Sequence, residues 1–88
     1  MQNQITLADG AAYAVLHCGA DAGMLFITMD GELPVLDAAR AFADPAATES
    51  IEYSERGDTH TFAGYTQLFG VMIERNTRRT QVFLRREG

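Results

Sequence analysis

One cysteine and two histidines supply every thiol and imidazole in this 88-residue sequence, and their spacing decides what they can do. A structural zinc site needs four such ligands at tight spacing. Here His17 and Cys18 are adjacent, and adjacent side chains of a strand point to opposite faces, so they do not close on one ion. A Cys18 nucleophile with His60 as its base is the one enzymatic arrangement on offer. The competing reading, a half-buried cysteine acting as a small apolar residue, is favoured. No catalytic residue, cofactor site or metal site is therefore expected, and the chain reads as a non-enzyme. A lone cysteine also excludes an intramolecular disulfide and fits a reducing compartment. Glu49, Glu52 and Glu55 read as a solvated face. Gly10, Gly19, Gly23 and Gly31 fall in separate turns and match no phosphate-binding spacing. Arg56-Gly57-Asp58 spells the tripeptide that integrins read, but glycine and aspartate are ordinary turn residues and a hairpin tip is the better account.

The arginines are the sharpest feature. Residues 1–73 carry ten carboxylates against Arg40 and Arg56, a balance of −8, whereas residues 74–88 carry five arginines against Glu74 and Glu87, a balance of +3. Arginine forks suit carboxylate and phosphate contacts. The candidate partner-binding set is Arg75, Arg78, Arg79, Phe83, Arg85 and Arg86. Two partners compete for it. Nucleic-acid phosphates would use the charge, with Phe83 stacking on a base. An acidic protein surface, including that of a sister subunit, fits better because the whole chain is acidic at −5 and repels polyanions at long range.

These residues must be positioned by short elements. Ile5 and Leu7 alternate with polar neighbours as a first strand, and Asp9-Gly10 reads as a two-residue hairpin turn. Residues 12–18 return as a second strand. Residues 19–23 read as a loop, and Met24–Met29 as a third strand apolar on both faces, hence buried on both. A helix is expected from Leu33-Pro34, with Val35, Leu36, Ala39, Phe42 and Ala43 as its apolar stripe, stopped by Pro45. Asp44-Pro45-Ala46-Ala47 reads as a type I turn. A fourth strand holds Ile51 and Tyr53. A long fifth strand starts near Thr59, is bent at Ala63-Gly64, and places Phe69, Val71 and Ile73 on one face. A sixth runs from Thr80 to Arg86. The expected core is Leu7, Val15, Leu25, Ile27, Leu36, Phe42, Ile51, Tyr53, Val71, Ile73, Val82 and Leu84.

The layout β-β-β-α-β-β-β predicts one α+β domain over residues 1–88, its mostly antiparallel strands forming a curled sheet or small open barrel with one helix. No internal repeat is visible. With 47% hydrophobic and 22% charged residues the composition is globular. Acidic residues interrupt the apolar stretch, so no membrane span is expected, and the uncharged start predicts no signal peptide.

Several segments carry a resemblance: Ile5-Thr6-Leu7 with Asp9-Gly10, Phe42-Ala43-Asp44-Pro45 with Thr48 and Ile51, Phe62-Ala63-Gly64-Tyr65-Thr66 with Leu68, and Val82-Phe83-Leu84-Arg85. Together they resemble small prophage-encoded proteins of gut Gram-positive bacteria, encoded near tail or baseplate genes and of unknown function. The resemblance implies a structural or assembly role, protein partners that include further copies or phage structural proteins, and a location in the bacterial cytoplasm or the virion. The alternative is a small nucleic-acid-contacting or regulatory domain using the arginine-rich C-terminal hairpin.

Overall fold

The computed structural model describes residues 3–86. Its first hairpin joins β1 (Gln4–Thr6) to β2 (Ala12–Ala14). The turn is longer than expected. Leu7 O accepts from the Gly10 N–H at 3.0 Å, and the Leu7 N–H donates to Ala11 O at 2.8 Å. Gly10 is the loop residue with positive φ, at 92°. This is a three-residue loop closed by a left-handed glycine, and Asp9 earns its place by accepting from the Ala11 N–H at 2.9 Å.

The chain then changes sheets within one residue step. The Val15 N–H donates to Asn3 O beside β1, and the Leu16 N–H donates to Thr28 O. The single strand expected over residues 12–18 is therefore two, β2 and β3 (His17–Asp21). β3 pairs with β4 (Met24–Asp30) across Ala22-Gly23, whose φ values of 52° and 80° make a type I′ turn. Three of the five residues expected as loop over 19–23, namely Gly19, Ala20 and Asp21, are thus strand.

Helix α1 (Val35–Ala43) follows Pro34 as expected, but its stripe is rotated. Ala38 and Phe42 are buried, Val35 is exposed and Leu36 is 70% exposed. The facing side combines a small residue, which allows close approach, with one aromatic wedge. The Phe42 ring lies 5.6 Å from that of Tyr13. Asp44, extended before Pro45, ends α1 and caps α2 (Pro45–Thr48) by accepting from the Ala46 N–H at 3.0 Å. The expected type I turn at Asp44 is continued into one helical turn.

β5 (Ser50–Glu55) and β6 (Asp58–Ala63) form a hairpin across Arg56-Gly57, at φ 51° and 87°. The long fifth strand expected from Thr59 is divided at Gly64 (φ 86°) into β6 and β7 (Gln67–Glu74), which lie in different sheets. β8 (Arg79–Arg85) completes the fold.

The strands make two antiparallel four-stranded sheets, ordered β2-β1-β5-β6 and β3-β4-β8-β7. This corrects the curled sheet or barrel. The breaks at Val15-Leu16 and at Gly64 hand the chain from one sheet to the other, so neither sheet bends round to close. The domain is α+β, with eight strands among the described residues rather than six and the added turn of α2. The two halves of the chain also use the same plan. The first and second strands of each half take the centre and edge of one sheet; the third and fourth take the edge and centre of the other. This topological two-fold has no counterpart in a sequence repeat.

The inner faces of both sheets share one core. Ile5, Ile51 and Tyr53 come from the first sheet; Leu25, Ile27, Val82 and Leu84 come from the second. Of the expected core, Val71 and Ile73 are half-buried and Leu36 is outside. Thr80, fully buried, accepts from the Leu33 N–H at 2.8 Å and donates to Gly31 O at 3.0 Å, which ties the loop entering α1 to β8.

Candidate interaction surface

Burying Leu25, Ile27 and Met29 turns Met24, Phe26 and Thr28 to the outer face of the second sheet. Burying Thr80, Val82 and Leu84 likewise turns Arg79, Gln81, Phe83 and Arg85 outward along β8. Phe26 stands opposite Phe83 in the ladder, and their rings meet edge to face at 5.6 Å. Phe83 also leans over Gly70 of β7: a Cβ at Gly70 would lie 3.9 Å from the ring.

A bulge between Leu68 and Gly70 adds the third aromatic. It leaves Phe69 without a cross-strand partner, 64% exposed, with the Arg85 guanidinium 5.7 Å from its ring centroid. Met72, exposed, lies on the same strand opposite Gln81. The expected shared face of Phe69, Val71 and Ile73 is thereby corrected: the extra residue puts Phe69 outside. The expectation that Met24–Met29 is buried on both faces is corrected too, because Phe26 is 38% exposed. The result is an aromatic row across β4, β8 and β7 with polar and charged neighbours at either end of the strands.

The six candidate residues do not form one patch. Arg75 and Arg78 sit in the β7–β8 turn, and Arg79 opens β8. Arg85 closes β8, a strand of seven residues, which puts its ends ~20 Å apart at ~3.4 Å per residue. Arg86, next to Arg85, lies over the Tyr65 ring at 5.2 Å and donates to Ala63 O at 3.4 Å. Phe83 lies between the two charged ends.

The cysteine behaves as the apolar alternative required. Cys18 is 2% exposed, and burial pushes its thiol from 9.0 up to about 12. Both histidine rings instead approach Tyr53, each at 6.2 Å. Burial, then the charges of Glu55 and Cys18, raise the Tyr53 phenol; hydrogen bonds from the Cys18 backbone and Asn3 act the other way. Among the described residues no group of three metal-ligating side chains exists. A cleft of about 270 Å³ lies where β2 faces the β4–α1 loop, lined by Tyr13, Met29, Asp30, Glu32 and Leu33 among others. Arg56-Gly57-Asp58 is an exposed type I′ hairpin tip; Gly57 suits its positive φ, and Arg56 also takes the left-handed region at φ 51°. No helix among the described residues is long and apolar enough to cross a membrane.

The raised thiol and phenol have a testable sign. Both groups hold their protons more tightly in the folded state, so the folded form binds more protons at alkaline pH and stability falls as pH rises. For Cys18 that stability is fully present below pH 9.0 and is lost toward about 12. Denaturant midpoints measured across this range should fall for the wild type and fall less for Cys18→Ala. At pH 8, iodoacetamide should modify the folded thiol far more slowly than the unfolded one; equal rates would contradict its burial.

A scan against models of protein families and searches of curated proteins and of solved structures find no match to this chain.

Proposed function

We propose that this chain is a non-enzymatic assembly protein that makes protein–protein contacts through the outer face of the β3-β4-β8-β7 sheet, in the setting of a phage particle or its assembly. The observation that carries this reading is the row Phe26, Phe83 and Phe69 with Met72 beside it on that face: Phe26, Phe69 and Met72 are exposed, and Phe83 is half-buried between them. Apolar groups gathered on one exposed face mark contact sites. Aromatic residues, methionine and arginine are also the types enriched in interfaces. Arg85 stacked on Phe69 limits the freedom either side chain loses on binding. The phage setting comes from the resemblance of the segments quoted above. The division of the arginines between the two ends of β8 weighs against the nucleic-acid alternative, which needs a continuous basic track.

The test places a photo-crosslinking phenylalanine at position 69 and, as a control, at position 40, an exposed residue of α1. Illumination in the native host should give a discrete protein adduct from position 69 and none from position 40. No adduct from 69, or the same adducts from both, would overturn the proposal.

A further inference from the structure

On a surface separate from that aromatic face, we infer that β6 joins β6 of a second copy of this chain, edge to edge and antiparallel about a two-fold at Thr61, fusing two four-stranded sheets into one. The sheet edges are not alike. β2 is three residues long, and β7 is interrupted by its bulge. β3 gives its Cys18 backbone to the Tyr53 hydroxyl. β6 runs for six residues with neither proline nor bulge, and its residues other than Phe62 are exposed. Short, bulged or covered edges resist strand addition, whereas an edge like β6 invites it. The ladder fixes which of its groups are free. The Gly64 N–H donates to Glu49 O at 3.0 Å. Bonded and unbonded positions alternate along an antiparallel strand. Phe62, His60 and Asp58 therefore bond to β5 as well, and Thr59, Thr61 and Ala63 turn their N–H and C=O groups to the open edge. Among the described residues one side chain reaches them: Arg86 donates to Ala63 O at 3.4 Å. That carbonyl keeps a second lone pair. With the two-fold at Thr61, Thr61 faces Thr61 of the second copy and Thr59 faces its Ala63. Each pair exchanges both of its bonds, and every free group is used.

Charge complementarity selects a second copy as the occupant. β6 begins at a carboxylate, Asp58, and ends beside a guanidinium: a Cβ at Gly64 would lie 3.7 Å from Arg86 Nε. The strand thus has a negative and a positive end. Antiparallel pairing with itself sets Asp58 of each copy opposite Gly64 of the other, against its Arg86, so an ion pair forms at both ends. In the same register His60 faces Phe62 of the second copy, an aromatic cross-strand pair made twice. A shift that set His60 opposite His60 would instead carry Arg56 to Gly64 and its Arg86, which like-charge repulsion disfavours. A strand added in the parallel sense would bring Asp58 toward Asp58. The antiparallel register centred on Thr61 is the one that joins opposite charges, and a two-fold contact of this kind closes at two chains.

The experiment measures mass by light scattering over a concentration series, beside amide exchange followed by NMR. Wild type should pass from one chain to two. As it does, exchange should slow at Thr59, Thr61 and Ala63 and stay unchanged at His60 and Phe62, whose N–H groups already bond to β5. Thr61→Pro removes the central donor. That N–H faces the open edge, where proline is tolerated, so the variant should stay folded and monomeric. Asp58→Arg and Arg86→Asp, each checked for a wild-type melting temperature, should each self-associate at least about tenfold more weakly. Mixed in equal amounts they should form a two-chain species holding one of each, because one native and one inverted ion pair are then made. Should the proline variant unfold, this mixture still decides. A mixture no tighter than either variant alone would overturn the register and the choice of occupant. A wild type that stays monomeric throughout, or exchange that slows elsewhere and not along β6, would overturn the inference. Neither result touches the crosslink from position 69, so the assembly reading stands or falls separately.

Discussion

Phe42→Ala should lower the stability of this domain by about 3–5 kcal/mol. Phe42 is the one large side chain that α1 drives into the core; it is fully buried and packs on Tyr13. Truncation removes the ring from its apolar surroundings and leaves a cavity that two sheets and a helix cannot collapse to fill. Total stability for a domain of this size is about 5–15 kcal/mol, so the loss is a large share. At about 4–8 °C per kcal/mol, the melting temperature should fall by more than about 12 °C. Leu36→Ala is the matched control. Its side chain is 70% exposed, so its effect should stay within about 0.5 kcal/mol. Thermal unfolding of the pair checks the orientation of the helix. A costly Leu36→Ala would mean that α1 buries Leu36 beside Phe42, the stripe its periodicity suggests, rather than Ala38 and Phe42; a mild Phe42→Ala would contradict the burial of its ring.

Gly64→Val should cost about 2–3 kcal/mol through the backbone. Gly64 has φ 86° at the point where the chain leaves one sheet for the other, and its N–H is held by Glu49 O at 3.0 Å. A β-branched residue resists that conformation. The space itself is open, since a Cβ there would approach Arg86 no closer than 3.7 Å. The penalty is therefore conformational rather than steric. Gly70→Ala separates the two causes. No left-handed backbone is required at Gly70, and its Cβ would meet Phe83 at an ordinary 3.9 Å. That substitution should be neutral or stabilise by about 0.4–1 kcal/mol. Chemical denaturation of both variants is the measurement; a neutral Gly64→Val would mean that the crossing does not depend on that backbone geometry.

Local signals in this sequence were legible where one residue type dominates the physics. Pro34 and Pro45 bracket α1, and Arg56-Gly57 and Asp9-Gly10 lie at turns. Alternation locates Ile51, Tyr53, Val82 and Leu84 in the core. What alternation does not carry is the place where one run changes sheets. Val15-Leu16 contains no glycine or proline, so residues 12–18 read as one strand although their hydrogen bonds go to two partners. Residues 19–21 read as loop because they are small. Their strand is held by Leu25 and Phe26 opposite, and the His17 ring fills the space where a Cβ of Gly19 would stand, with Nε2 at 3.0 Å. The helix stripe is hidden from periodicity because Ala38, weakly hydrophobic by type, is favoured at a close contact over the larger Leu36. The interaction surface was half visible. Phe83 and the arginines were apparent, and β4, apolar on both sides, was a further signal. That pattern reads equally as a strand covered twice, and the one-residue bulge that exposes Phe69 leaves no mark in composition.

The repeated plan of the two halves has a kinetic consequence. Each hairpin is local, but each sheet is sewn together only where a strand of one half meets its counterpart in the other, as Gln4 meets Ser54 and Met24 meets Arg85. Before that meeting, a half-chain has two separate hairpins, each with one apolar face open to water. Loop-closure entropy must therefore be spent before the long-range pairings return any free energy, which places such topologies among the slower folders, on the millisecond-to-second scale. While the ribosome is still making the second half, the central strands β1 and β4 wait with unpaired edges. The interval before their partners emerge is when the nascent chain is most exposed to pairing with a neighbour.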